Sequence, residues 1–161
     1  MKKTIFAFLV VMLGFGLNAQ AQRYSTGIGA RFGYYPGLTV KHFLGGNNAI
    51  EGILSTRWNG WLVTGLYEFQ NPLKPIPEID WYIGIGGHIG FWDRDKYDRW
   101  EDDWDEDDNV TVIGIDFVLG LEYKFEAVPF TIGADWKPAV NILPHTHTWG
   151  DGGDLHVRFT F

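Results

Sequence analysis

The sequence predicts an all-β chain that closes as an eight-stranded antiparallel up-and-down transmembrane β-barrel. Three observations carry this expectation. Eight stretches alternate with period two, as strands with two unlike faces must. Glycine, 21 of the 161 residues, recurs inside nearly every apolar stretch, where each would cost a helix interior roughly 1 kcal/mol. Eight Trp, seven Tyr and twelve Phe fill much of the rest, with β-branched residues, and favour strands.

Residues 1–21 read as an address rather than an element of the fold. Lys2 and Lys3 precede an apolar run from Ile5 to Leu17, and Asn18-Ala19-Gln20-Ala21 offers small residues where a signal peptidase cuts. The run of 13 residues is shorter than the ~20 a spanning helix needs, which favours a secretory signal peptide over a membrane anchor. Cleavage after Ala21 leaves residues 22–161 as the barrel, with 11 basic groups against 20 acidic ones and a net charge of −9.

The strands follow in order. Residues 24–34 give the first, with Gly27, Gly29, Arg31 and Gly33 on one set of alternate positions. Residues 38–44, 49–58 and 61–70 give the next three, set off by Tyr35-Pro36-Gly37, Gly45-Gly46-Asn47-Asn48 and Asn59-Gly60. A Pro-rich connector, 71–77, leads to the fifth, 81–92, where Trp81, Ile83, Ile85, Ile89 and Phe91 oppose Tyr82, Gly84, Gly86, His88 and Gly90. The sixth, 110–125, is the clearest: Ile113, Ile115, Phe117, Leu119, Leu121, Tyr123 and Phe125 stand against Val112, Gly114, Asp116, Val118, Gly120, Glu122 and Lys124. After Ala127-Val128-Pro129, the seventh spans 130–137, and the last, 155–161, alternates Leu155, Val157, Phe159 and Phe161 with His156, Arg158 and Thr160. Two connections remain long, the charged 93–109 and the Pro-, His-, Thr- and Gly-rich 138–154.

Alternation alone does not tell a soluble barrel from a membrane barrel, which inverts it. The polar set decides. It carries many glycines and widely spaced single charges, which suit a crowded interior better than a surface in water. Glycine there makes room for a long Arg or Glu on a neighbouring strand. Tyr34, Tyr35, Trp58, Trp61, Trp81, Trp92, Tyr123, Phe125 and Trp136 fall near strand ends, where interfacial aromatic girdles belong. With a periplasmic N-terminus, both long connections face outward.

A cleaved signal, eight amphipathic strands and the closing strand Leu155-His156-Val157-Arg158-Phe159-Thr160-Phe161 resemble the small eight-stranded outer-membrane barrels of the OmpX, OmpW and opacity-like type. Residues 120–125 and 135–138 are similar to late strands of the opacity-like barrels. The resemblance spans the mature chain as architecture and is specific in sequence only for its last third. It implies an outer-membrane location, contact with outer-membrane lipid, and Phe161 as the terminal residue of the signal read by the assembly machinery. Its members include adhesion and stress-related proteins, so it implies a place more firmly than a task.

The polar set assigns Arg31, Lys41, Arg57, Lys124, Lys137 and Arg158 to the lumen as cations, and Glu51, Glu68, Asp116, Glu122 and Asp135 as anions, with His88 and His156 beside them. An eight-stranded interior is just wide enough for side chains to fill. Charges of both signs there should pair, because an unpaired buried charge is expensive. A salt-bridged plug is therefore expected rather than a channel.

Residues 93–108, from Asp93 to Asp108, hold ten acids and three bases. Asp103, Asp105 and Asp107 are candidate Ca²⁺ ligands, although Asp108 and Gly114 stand where an EF-hand has Gly and Glu. The competing readings are a solvated acidic loop and a surface for a basic partner, with Tyr97, Trp100 and Trp104 as contacts. His145 and His147 are candidate Zn²⁺ ligands, on the weak signal of a lone H-x-H. Weak Ca²⁺ at the acidic stretch is the one cofactor expected.

No cysteine excludes disulfides and thiol chemistry, and an acidic balance argues against a nucleic-acid partner. Ser25 and Ser55, the only serines, sit in no nucleophile motif, so no enzyme is expected. The expected role is structural or surface-interacting. The alternatives are a secreted soluble barrel that binds a small apolar ligand, and a narrow channel or lipid-modifying barrel enzyme.

Overall fold

The computed structural model describes residues 24–57, 60–92, 110–144 and 146–161. These form ten strands and no helix: β1 (Thr26–Gly33), β2 (Gly37–Gly45), β3 (Asn48–Arg57), β4 (Gly60–Leu73), β5 (Ile76–Trp92), β6 (Val110–Lys124), β7 (Phe130–Trp136), β8 (Ala139–Leu143), β9 (His147–Trp149) and β10 (Gly153–Thr160). Successive strands from β1 to β7 pair antiparallel, β8 pairs with β6 and β9, and β10 pairs with β7 and β1, so the sheet closes on itself. β7 and β8 both pair with β6 and make one stave; β9 and β10 make another. The chain is a closed eight-stranded up-and-down barrel.

The two broken staves correct the expectation of a long 138–154 loop. Pro138 has no N–H to give the ladder and interrupts the seventh stave, while its carbonyl still accepts a bond from Phe117 N at 2.9 Å. Opposite it, Gly150, Asp151 and Gly152 face only Lys137 and Pro138, one residue more than the pairing needs. This is a β-bulge, and it shifts the inward set from the even positions of β10 to Trp149 in β9. Across the gap Lys137 N donates to the Gly152 carbonyl at 2.6 Å. The 71–77 connector is also shorter than expected: β4 extends through Pro72 and β5 takes in Pro77, leaving Lys74 and Pro75 at the hairpin tip.

One end of the barrel carries the closing seam, where Phe161 exchanges backbone bonds with Thr26. We call it the terminal end and its opposite the distal end. The turn between β2 and β3 lies at the terminal end and needs Gly46 at φ 61°, in the left-handed region.

The two faces are sorted opposite to a soluble core. Ile85, Phe117, Leu119 and Leu155 are 51%, 47%, 51% and 59% exposed on the outer wall, while Arg31, Lys41, Glu68 and Arg158 are at most 1% exposed inside. Two apolar clusters interrupt the ionic filling: Ile53, Leu66, Tyr82 and Val118 near mid-height, and Tyr35, Leu62, Trp92 and Val112 at the distal end. Tyr35 and Trp92 therefore face inward and are not part of an outer girdle, whereas Trp61, Trp81, Tyr123, Phe125 and Trp136 are exposed. Trp58 lies outside the described residues.

Inward glycines seat rings as well as long chains. Gly114, Gly120 and Gly133 pair directly with His88, Tyr82 and His156, whose rings occupy the space a Cβ would take. Gly27 and Gly84 do the same for Arg158 and Glu68. Gly120→Val is expected to destabilise the barrel by about 1–3 kcal/mol through overpacking on Tyr82, read as a lower urea midpoint.

Candidate functional site

The lumen is the most heavily built part of the molecule, and its side chains come from every stave. Arg158 on β10 joins two carboxylates from across the barrel, Glu51 at 2.6 Å and Glu122 at 2.6 Å. Arg31 on β1 holds Glu51 at 3.2 Å, Asp135 at 2.5 Å and Asp154 at 3.3 Å. Thr39 also donates to Glu51, and Tyr82 donates its hydroxyl to Asp135 at 2.8 Å. His156 lies between Glu122 and Asp135, 3.4 Å from each. Lys41 meets Glu68 at 2.5 Å and sits over the Tyr82 ring at 4.1 Å.

Toward the terminal end, Gln70 donates to Asp80 and Glu122 at 2.9 and 3.0 Å, and Tyr24 donates to Glu122 at 2.8 Å. Lys124, at the rim, pairs with Asp80 at 3.3 Å. Toward the distal end, Asp116 accepts from Lys137 at 2.7 Å and meets His88 Nδ1 at 2.7 Å, while His88 Nε2 lies 3.0 Å from Asn141 Oδ1. Above this layer the Arg57 guanidinium lies 3.4 Å from the centre of the Tyr34 ring, 4.4 Å from that of Trp149 and 5.3 Å from that of Tyr35. Burial pushes the Tyr35 phenol well above its ordinary pKa, with Arg57 opposing the shift, so the ring stays neutral.

Such a set can hold charge and exclude water; its carboxylates are engaged by cations and hydroxyls rather than gathered around a vacancy. Among the described residues, no three or more His, Asp or Glu side chains are disposed to hold a metal ion.

The chain matches no family model, no curated protein and no solved structure.

Of the residues assigned to the lumen, Arg31, Lys41, Glu51, Glu68, Asp116, Glu122, Asp135, Lys137 and Arg158 are buried within the barrel. Arg57 and Lys124 are half-buried at its two ends. Asp80 and Asp154 belong to the same network and go beyond that set; each lies one residue ahead of the alternating stretches 81–92 and 155–161. Gln70 and Tyr82 complete it. His147 is exposed on β9 with its ring edge-on to Trp149 at 5.6 Å, while Asp154 and His156, its neighbours in sequence, are engaged with Arg31, Glu122 and Asp135. His145 lies outside the described residues, as do residues 1–21 and the acidic stretch 93–108 with Asp103, Asp105 and Asp107. Ser25 is exposed at the terminal end, and Ser55 donates to the Leu62 carbonyl at 3.5 Å. Phe161 O accepts from the Ser25 and Thr26 amides at 3.0 and 2.9 Å, closing the seam.

Proposed function

We propose that the chain spans an outer membrane as a barrel with a filled, non-conducting lumen, and that its role is structural or surface-interacting rather than catalytic. The observation that carries this reading is the inversion of its faces. A band of Ile, Leu, Val and aromatic side chains encircles the outside, while the largest fully buried side chains include Arg31, Arg158, Lys41 and Lys137. Soluble monomers rarely expose contiguous apolar patches beyond a few hundred Å². Lipid is the solvent that such a wall fits, and a closed barrel satisfies its backbone there without an edge.

The resemblance of residues 155–161 to outer-membrane assembly signals supports the same reading, with Phe161 as the residue the machinery would meet. Residues 93–108, between β5 and β6, are the proposed surface for a cation, weakly bound Ca²⁺ included, or for a basic partner. A soluble carrier of an apolar ligand fits less well, because the interior such a ligand would need is occupied by ion pairs.

Membrane-extracted protein should migrate differently on a gel before and after boiling, and should need detergent to stay in solution. A water-soluble, detergent-independent fold would overturn the reading. In planar bilayers the purified barrel should pass no stable unitary current, since Arg31 and Arg158 reach through the lumen to carboxylates on staves that are not their neighbours. A reproducible unitary conductance would overturn the filled lumen while leaving the membrane reading intact.

A further inference from the structure

We propose that the distal mouth is a binding site for a small organic cation, an alkylammonium- or guanidinium-bearing ligand, which Arg57 occupies as a built-in ligand. The inference does not depend on what surrounds the barrel.

Arg57 is the last residue of β3, so its guanidinium hangs on a flexible stem at a strand end. The charged group lies against the face of Tyr34 and within cation–π reach of Trp149 and Tyr35. Aromatic rings gathered around a cation are the recurring means of recognising quaternary ammonium and related groups. The three rings come from separate parts of the chain, the β1–β2 turn and β9. The bulge at 150–152 is what turns Trp149 inward to join them. The rings are therefore positioned by the barrel rather than by Arg57.

Beneath the guanidinium is a gap of about 10 Å³, room for one water, lined by Leu62, Trp92, Val112, His88 and Asn141. Truncating Arg57 would join the volume of its side chain to this gap, and rings at the entrance over apolar walls and two polar groups would then frame a small-molecule site. The nearest buried charges, Asp116 and Lys137, pair with each other at 2.7 Å, and Lys137 Nζ lies 4.0 Å from the centre of the Tyr35 ring, so Tyr34 and Trp149 are the rings left to a ligand. Asp151, which accepts from the Tyr34 hydroxyl at 3.5 Å, adds a negative group at the rim.

An internal ligand lowers apparent affinity by the fraction of time it fills the site, so removing it should reveal binding. The test titrates the full-length protein in detergent with choline and with 3,3-dimethylbutan-1-ol, its uncharged isostere, and follows the heat of binding by calorimetry. Arg57→Ala should bind choline saturably and about tenfold more tightly than the unaltered protein. The isostere should bind at least about tenfold more weakly than choline, because it lacks the charge the rings attract. Adding Trp149→Leu to Arg57→Ala should abolish the response. No saturable response to choline in Arg57→Ala, or an equal response to the isostere, would overturn the proposal. Arg57→Gln keeps the stem and repeats the test. Loss of the β-sheet circular-dichroism signal in both variants would also overturn it, since Arg57 would then be a pillar of the mouth and not a displaceable ligand.

Discussion

Arg158→Met is expected to destabilise the barrel by about 3–5 kcal/mol, the cost of leaving buried carboxylates without their cation. Arg158 is fully buried and gives one guanidinium nitrogen to Glu51 and another to Glu122, each at 2.6 Å. Methionine fills much of the same volume, so the loss is one of charge rather than of packing. Arg31 still reaches Glu51 at 3.2 Å, but among the described contacts Glu122 keeps only His156, Gln70, Thr131 and Tyr24. Urea unfolding in lipid vesicles reads the change as a shift in midpoint. The triple variant Arg158→Met, Glu51→Gln and Glu122→Gln should recover a large part of the loss, because breaking an ion pair costs more than replacing all of it with neutral groups. A single variant as stable as the unaltered protein would mean that Arg158 does not hold the plug together.

Ile85→Arg should be nearly as damaging if the outer wall meets lipid. Ile85 lies near the middle of β5, points outward and is 51% exposed. An arginine at the bilayer midplane of a barrel costs ~2–4 kcal/mol. On a surface in water the same change stays within about 0.5 kcal/mol. The comparison needs a partner, and Glu68→Leu supplies it: this residue faces the lumen, and its loss strands Lys41 whichever solvent lies outside. Both variants destabilised in vesicles fits the membrane reading. Glu68→Leu alone destabilised would overturn it.

The alternation along β6 made most of this arrangement legible. Leu119 and Leu121 outside with Glu122 and Asp116 inside follow from period two once the small, sparsely charged set is recognised as the interior. Legibility failed where the period was broken or its limits were misplaced. Beginning the fifth strand at Trp81 and the last at Leu155 left out Asp80 and Asp154, although both keep the inward parity of Tyr82 and His156. The strands β8 and β9 were hidden for a different reason. Pro138 and the glycines at 150 and 152 carry loop chemistry, and the extra residue there changes which positions face inward. Trp149 read in register with His156 would face outward; in the barrel it faces Arg57. The cage at the distal mouth combines that shift with a turn residue and a strand end, so no local pattern announces it. Apolar inward residues such as Ile53 and Leu66 are equally silent, because a strand that is apolar on both faces at that height shows weak contrast between them.

The ionic filling also bears on the order in which the barrel can form. Arg158 and Glu51 are 107 residues apart, and Arg31 and Asp135 are 104 apart. Hairpins between successive staves can form locally, but none of them brings these partners together. A barrel missing its last stave would carry Glu51 and Glu122 without Arg158, so partial closure gains little from the charges it would bury. Long-range pairing of this kind slows folding, since chain entropy is lost before the contacts that offset it are made. The final stave is thus both seam and keystone, and closure is expected to be a single late, cooperative event in which the ion pairs and the β1–β10 ladder appear together.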